Sequence, residues 1–252
     1  MRILLWAECQ KLRRSNILIL TAFATVFIAV FLFIGGKTTV DGVDFSESSG
    51  WYMATALTWA TMFILPAMIA LLGSYMICRE EQDDTIKHLR LVPINETKLT
   101  AAKMIVTFVL SVLIYLLLFI ITLAIEAVLH FSALSMETVL DFLKMYLIQG
   151  AGVFFAVSPI IAIVPYMKKS YWLALLLAEI YSFSALFMSM SNSLKNFYPI
   201  TAVFGVSGYY ETTVQELACC IIALSFCGCL AAALLAGLNH SQKGKTNEEK
   251  II

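Results

Sequence analysis

The chain has 252 residues, 60% of them hydrophobic and 13% charged, with a net formal charge of zero and a mean hydropathy of +0.86. Soluble domains carry about 25% charged residues, so this chain has too little charge to wet a whole surface and must place apolar helices in lipid. Equal numbers of cations and anions, 17 of each, exclude a partner such as nucleic acid that is held by a bulk field.

The predicted elements follow from apolar run length, since a hydrocarbon core of about 30 Å takes about 20 residues of helix. Residues 1–15 set Leu4, Leu5, Trp6 and Leu12 against Arg2, Glu8, Lys11, Arg13 and Arg14. That pattern predicts a helix lying in the membrane interface, Trp at headgroup level and cations toward anionic lipid. The first span covers 16–34. Arg13 and Arg14 before it, and Ala22-Phe23-Ala24 within it, resemble a signal peptide. A cleaved apolar region ends at its small-residue site after about 7–15 residues; here the run continues, so an uncleaved anchor is expected.

A polar loop with Asp41, Asp44 and Glu47 leads to Trp51 and Tyr52, an interfacial belt opening the second span (52–78). Pro66 near its middle removes one backbone donor and predicts a kink, which neighbours in the bilayer can absorb. Residues 79–103 form the longest charged stretch. The third span (104–129) closes on Glu126 and His130, four apart and therefore on one face. The fourth (142–165) is expected to be interrupted by Gly150, Gly152 and Pro159. After the Lys168-Lys169 turn, the fifth span (171–190) carries Glu179 near its centre. Residues 191–213 are too polar to span and too apolar for a free loop, which predicts an extracellular re-entrant segment, partly inserted and shielded by protein. A last span (214–238) and a polar tail (239–252) complete an all-α polytopic membrane protein of six transmembrane helices, a single domain over 1–252.

Cation placement orients it. With both termini inside, fourteen of the 17 Lys and Arg fall on the inner segments, and three, Lys37, Lys144 and Lys195, fall outside. By the positive-inside rule the termini are cytoplasmic and the membrane is the plasma membrane. The six cysteines, Cys9, Cys78, Cys219, Cys220, Cys227 and Cys229, read as free thiols without zinc-ligand spacing, and no metal site is expected.

Two Gly-Lys-Thr triplets, at 36–38 and 244–246, imitate a phosphate-binding loop. That loop needs a glycine five positions before its second one, so that backbone amides cradle phosphate; Phe31 and Asn239 stand there. The chain is therefore not expected to be an ATPase. Glu80-Glu81 near His88 lacks the His-Glu-x-x-His spacing of a metalloprotease. The glycosylation-type triplets at Asn95 and Asn239 fall on the cytosolic side.

The stretch after the second span is the most informative. Glu80, Glu81, Asp83 and Asp84 precede a short amphipathic piece, 85–91, in which Ile86 and Leu89 share a face while Lys87, His88 and Arg90 point elsewhere; Pro93 ends it and Asn95 can cap the next helix. A crosswise helix of this kind suits a groove on a soluble partner, and the alternative is a solvated loop that only fixes topology. This stretch resembles the cytosolic loop of ABC type-2 exporter permeases: an acidic, threonine-bearing segment, a coupling helix, a leucine-rich turn with proline, and a lysine opening the third span. Glu80-Glu81, Thr85, Leu89, Leu91-Val92-Pro93 and Lys103 sit accordingly, with Asp84 where a glycine often stands. The opening 7–20 (AECQKLRRSNILIL) and the 191–213 segment also resemble that family. Size and N-terminus look most like bacterial permeases that expel lantibiotics or bacitracin-type peptides, an antibiotic-resistance and immunity role.

The resemblance implies that Glu80, Glu81, Asp83, Asp84, Thr85, Leu89 and Pro93 dock a cytosolic ABC ATPase. That partner would bind the ATP and Mg, this chain would hold no cofactor, and a second permease chain would pair with it as homodimer or heterodimer. Amphipathic peptides or lipid-like compounds are the implied substrates. Glu126 and Glu179 are candidates for a substrate path, because a carboxylate at such depth costs about 2.5–3.5 kcal/mol and usually faces a bundle interior or cavity; an interhelical hydrogen bond is the alternative for each. Two other functions stay open: a proton-coupled secondary transporter using Glu126 or Glu179, and a membrane sensor or scaffold without transport.

Overall fold

The computed structural model describes residues 2–13, 15–36, 50–82, 96–130, 134–166, 171–191 and 194–248. These form α1 (Arg2–Arg13), α2 (Asn16–Gly36), α3 (Trp51–Trp59), a π turn (Ala60–Ile64), α4 (Leu65–Gln82), α5 (Glu96–His130), α6 (Met136–Ile163), α7 (Tyr171–Ser189), α8 (Pro199–Ser207) and α9 (Val214–Glu248). No strand occurs among the described residues. Among the described residues six helices are long and apolar enough to cross a membrane: α2, α3 to α4 as one span, α5, α6, α7 and α9. The all-helical, multi-pass architecture is the expected one.

Burial ranks the spans. The most apolar stretch of the α3–α4 span is 72% buried and that of α6 is 61% buried, against 22% for each of α2, α7 and α9. The second and fourth spans are thus the centre, with α5 beside them. Around this centre α2 and α1 lie against α5, α7 against α4, and α9 against α6 and α8. Lipid tails are as apolar as leucine, so burial alone does not hold spans together; close packing of small residues and interhelical hydrogen bonds do. Gly150 shows how. A Cβ there would lie 3.0 Å from the Val112 Cα and 3.1 Å from the Tyr115 Cβ, and the Ser111 hydroxyl donates to the Gly150 carbonyl at 2.6 Å. The fourth span is therefore one continuous helix through Gly150, Gly152 and Pro159. Its glycines admit neighbours rather than interrupt it.

Pro66 acts on the second span differently from a simple kink. A proline cannot donate to the carbonyl four residues back, and its ring presses on it. The helix responds by widening just before Pro66: the Leu65 N–H reaches the Ala60 carbonyl, five residues back, and Ala60–Ile64 form a π turn. Two other boundaries also differ from expectation. The third span's helix starts at Glu96, inside the 79–103 segment, and α9 continues as helix to Glu248, through most of the 239–252 tail. Both extensions carry polar residues whose helix forms beyond the apolar run that marks a span in sequence.

Candidate functional site

The centre of the bundle contains a polar knot. The π turn brings Thr61 to the inside of the span, where its hydroxyl donates to Gln149 Oε1 at 2.9 Å and shares a hydrogen bond with the Tyr115 hydroxyl at 2.9 Å. Gln149 Nε2 donates to the Ser207 Oγ at 3.1 Å, and Ser207 donates to the Phe204 carbonyl. Next to it the Tyr146 hydroxyl donates to the Met53 carbonyl at 2.8 Å and meets Thr122 at 3.1 Å. Thr61, Tyr115, Tyr146 and Gln149 are all fully buried, and Ser207 nearly so. Four elements, the π turn, α5, α6 and α8, are tied through hydroxyl and amide groups that would otherwise be unpaired in hydrocarbon.

At one end of the bundle, Glu126 of α5 is wholly buried. Its Oε1 accepts the Gly50 N–H at 2.7 Å and lies 3.0 Å from His130 Nδ1, while Oε2 has no partner among the described residues. Gly50 sits in the left-handed region at φ 86°, which a side chain strongly disfavours, so backbone geometry and carboxylate together fix the entry into α3. Expected helix-face sharing of Glu126 and His130 is realised. What the sequence does not suggest is the third member, Gly50.

The same end carries the segment expected to be shielded by protein. In α8, Ile200, Thr201, Ala202, Val203, Phe204, Gly205 and Ser207 are buried, packed on α6 and α9. The Tyr198 hydroxyl donates to the Tyr181 carbonyl of α7 at 2.6 Å; burial pushes that hydroxyl up to about 12, so it remains a donor at neutral pH. A reciprocal cap starts α9. The Thr213 N–H donates to Glu216 Oε2 at 2.8 Å, and the Glu216 N–H donates to Thr213 Oγ1 at 3.4 Å, the capping-box exchange that satisfies two terminal donors.

Glu179 is placed quite otherwise. It is only partly buried on α7 and makes no hydrogen bond or ion pair among the described residues. Ala174, Ala178, Ser182 and Ala185 are the buried stripe of α7, small residues that let it approach α4 closely. Glu179 lies beside this stripe, next to exposed Leu176, Ile180 and Phe183. Phe183, one turn further on, belongs to an aromatic ladder: Trp59 stacks on Phe63 at 5.0 Å, Phe63 meets Phe183 edge-on at 6.1 Å, and Phe183 meets Phe187 at 5.8 Å. A carboxylate therefore stands beside an exposed aromatic ladder in the middle of a span.

The opposite end joins α1 to α4. Arg79 Nη1 donates to the Lys11 carbonyl at 3.0 Å and its guanidinium lies over the Tyr75 ring at 5.5 Å; Lys11 pairs with buried Glu8 at 2.7 Å. Glu80 and Glu81 belong to the last turn of α4. Asp83, Asp84, Thr85, Leu89 and Pro93 lie outside the described residues, as do the Lys168-Lys169 turn and most of the 35–51 loop. Sequence reasoning missed Thr61, Tyr115, Gln149 and Ser207. One signal was available, since Gln149 is an amide inside an apolar run, a group that needs a partner at that depth.

Compared with known families, residues 4–185 match the family model described as ABC-2 family transporter protein. The match runs from α1 into α7 and takes in the 79–103 segment, Glu126 and Glu179. No curated protein matches the chain.

Proposed function

The chain belongs to the ABC-2 family of transporter proteins, and from that premise we propose that it is the membrane permease of an exporter powered by a separate cytosolic ABC ATPase. The observation that carries this reading is the extent of the family match, which begins in α1 and covers every helix up to most of α7. Hydrolysis of ATP with Mg belongs to the partner, since this sequence has no complete phosphate-binding loop. Glu80, Glu81, Asp83, Asp84, Thr85, Leu89 and Pro93 form the docking segment, which begins in the last turn of α4. A push received there enters the most buried span of the protein.

The cargo we propose is amphipathic, of the size and polarity of peptide antibiotics or lipid-like compounds. Support comes from the Glu179 carboxyl beside the Trp59–Phe63–Phe183–Phe187 ladder, one polar handle next to a long apolar surface. Glu126, with its Gly50 and His130 partners, we read as a tether rather than a path residue. Two permease chains pair across such a path, as copies or siblings, with both termini cytoplasmic in the plasma membrane.

The test is co-purification of the chain with its ATPase, and vesicle transport driven by ATP. Leu89→Asp, which removes the apolar contact of the docking piece, is expected to abolish ATPase co-purification while membrane insertion is kept. Undiminished binding would sink the docking assignment, and cysteine labelling that put residues 87 and 90 outside the cell would sink the orientation. A second reading, a proton-coupled carrier, is favoured by the Glu179 carboxyl alone, which has no partner among the described residues. It predicts flux in vesicles without any ATPase when a proton gradient is imposed.

A further inference from the structure

A groove of about 320 Å³ opens where α1 meets α2 and α5. Its size falls within the about 300–1,000 Å³ of small-molecule pockets. The wall is apolar, made by Leu12, Leu18, Ile19, Val106 and Leu110, and the mouth carries Arg13. Leu12 and Val106 are buried at the floor, whereas Ile19 is 70% exposed at the rim. Ser15 breaks the helix between α1 and α2, its N–H donating to the Leu12 carbonyl at 2.8 Å, so an interfacial helix turns into a span at this point.

Charge marks the mouth as a place for an anion. Two other cations at this end are committed: Lys11 pairs with Glu8 at 2.7 Å, and Arg79 donates to the Lys11 carbonyl at 3.0 Å. Arg13 is exposed and has no hydrogen bond or ion pair among the described residues. Among the described residues, Arg13 is the cation that stands over this apolar trough, an arrangement complementary to an anionic headgroup joined to an acyl chain. We propose that this elbow is a binding site for one anionic phospholipid, with its phosphate at Arg13 and an acyl chain along Ile19, Val106 and Leu110. The bound lipid wedges α1 against α5 and fixes the angle at which the interfacial helix leaves the first span. This inference rests on the groove and its lining and does not depend on the transport reading.

Native mass spectrometry of the purified full chain, offered equal amounts of phosphatidylglycerol and phosphatidylcholine, tests it. Retention of phosphatidylglycerol is expected to exceed that of phosphatidylcholine by about five-fold, the worth of one cation at an anionic surface. Arg13→Gln should bring the ratio near unity and Arg13→Lys should largely keep it. Ile19→Trp, at an exposed rim position that tolerates bulk, should lower retention of both lipids by filling the trough. Arg2→Gln, on α1 but away from the groove, should leave the ratio unchanged. The proposal is overturned by equal retention in the unmodified chain, or by Arg2→Gln acting as strongly as Arg13→Gln, which would mean diffuse attraction to α1. It is equally overturned if Ile19→Trp leaves lipid retention intact or changes only the fraction of paired chains, since the groove then holds no lipid.

Discussion

Glu126 and Glu179 are the same side chain in two opposite situations. Glu126 has no exposed surface and spends one oxygen on a backbone N–H 76 residues away in sequence; Glu179 keeps part of its surface open and has no partner among the described residues. A carboxylate fixed by an amide and an imidazole holds two helices in place. One left without partners on the rim of a helix is a cost to the isolated chain, about 2.5–3.5 kcal/mol at mid-bilayer, which only water, a cargo or a second subunit can offset. The difference teaches that depth in the membrane does not by itself mark a working carboxylate. Whether its hydrogen bonds are already satisfied is the better guide.

Three variants break or sharpen this contrast. Glu179→Leu should reduce ATP-driven transport by about ten-fold or more while thermal stability holds or rises, because an uncompensated polar group has been removed. Normal transport by that variant would remove Glu179 from the path. Glu126→Ala should do the reverse, lowering unfolding stability by about 2 kcal/mol as the buried Gly50 N–H loses its acceptor, with transport per folded molecule retained. Full stability with lost transport would exchange the two roles. Thr61→Val should cost about 1 kcal/mol in unfolding experiments, in line with interhelical hydrogen bonds in membranes. It places a destabilisation in the knot that resembles Glu126→Ala in kind and is smaller in size; a larger loss would make the knot, and not the Gly50 end, the principal fastening of the bundle.

Much of the fold can be read from the chain because lipid imposes a length rule on apolar runs. The six long apolar helices among the described residues and the intermediate character of 191–213 follow from it, and the amphipathic pattern of 1–15 marks the helix α1. The proposed docking segment rests on an amphipathic pattern and on its resemblance to a family, since its residues carry no chemistry of their own. Hidden from the sequence are partnerships across long separations. Thr61 and Gln149 are 88 residues apart and Gln149 and Ser207 are 58 apart, and none of the hydroxyls involved differs in sequence from the many that bond their own helix, as Thr21 and Thr25 do. Pro66 announces a distortion without saying which, because a kink and a π turn relieve the same clash.

That π turn gives the second span one residue more than a regular helix would need to join its halves. Losing any residue elsewhere along α3 or α4 would swing one half through about 100° relative to the other, carrying Met53 or Ile69 from the interior toward the acyl chains. Shortening the chain by one between Ala60 and Ile64 closes the bulge and leaves both halves facing as they do now, at the cost of returning the Pro66 ring to the carbonyl four residues back. Among single-residue deletions in this span, those that keep both faces and the polar knot are therefore confined to Ala60, Met62, Phe63 and Ile64.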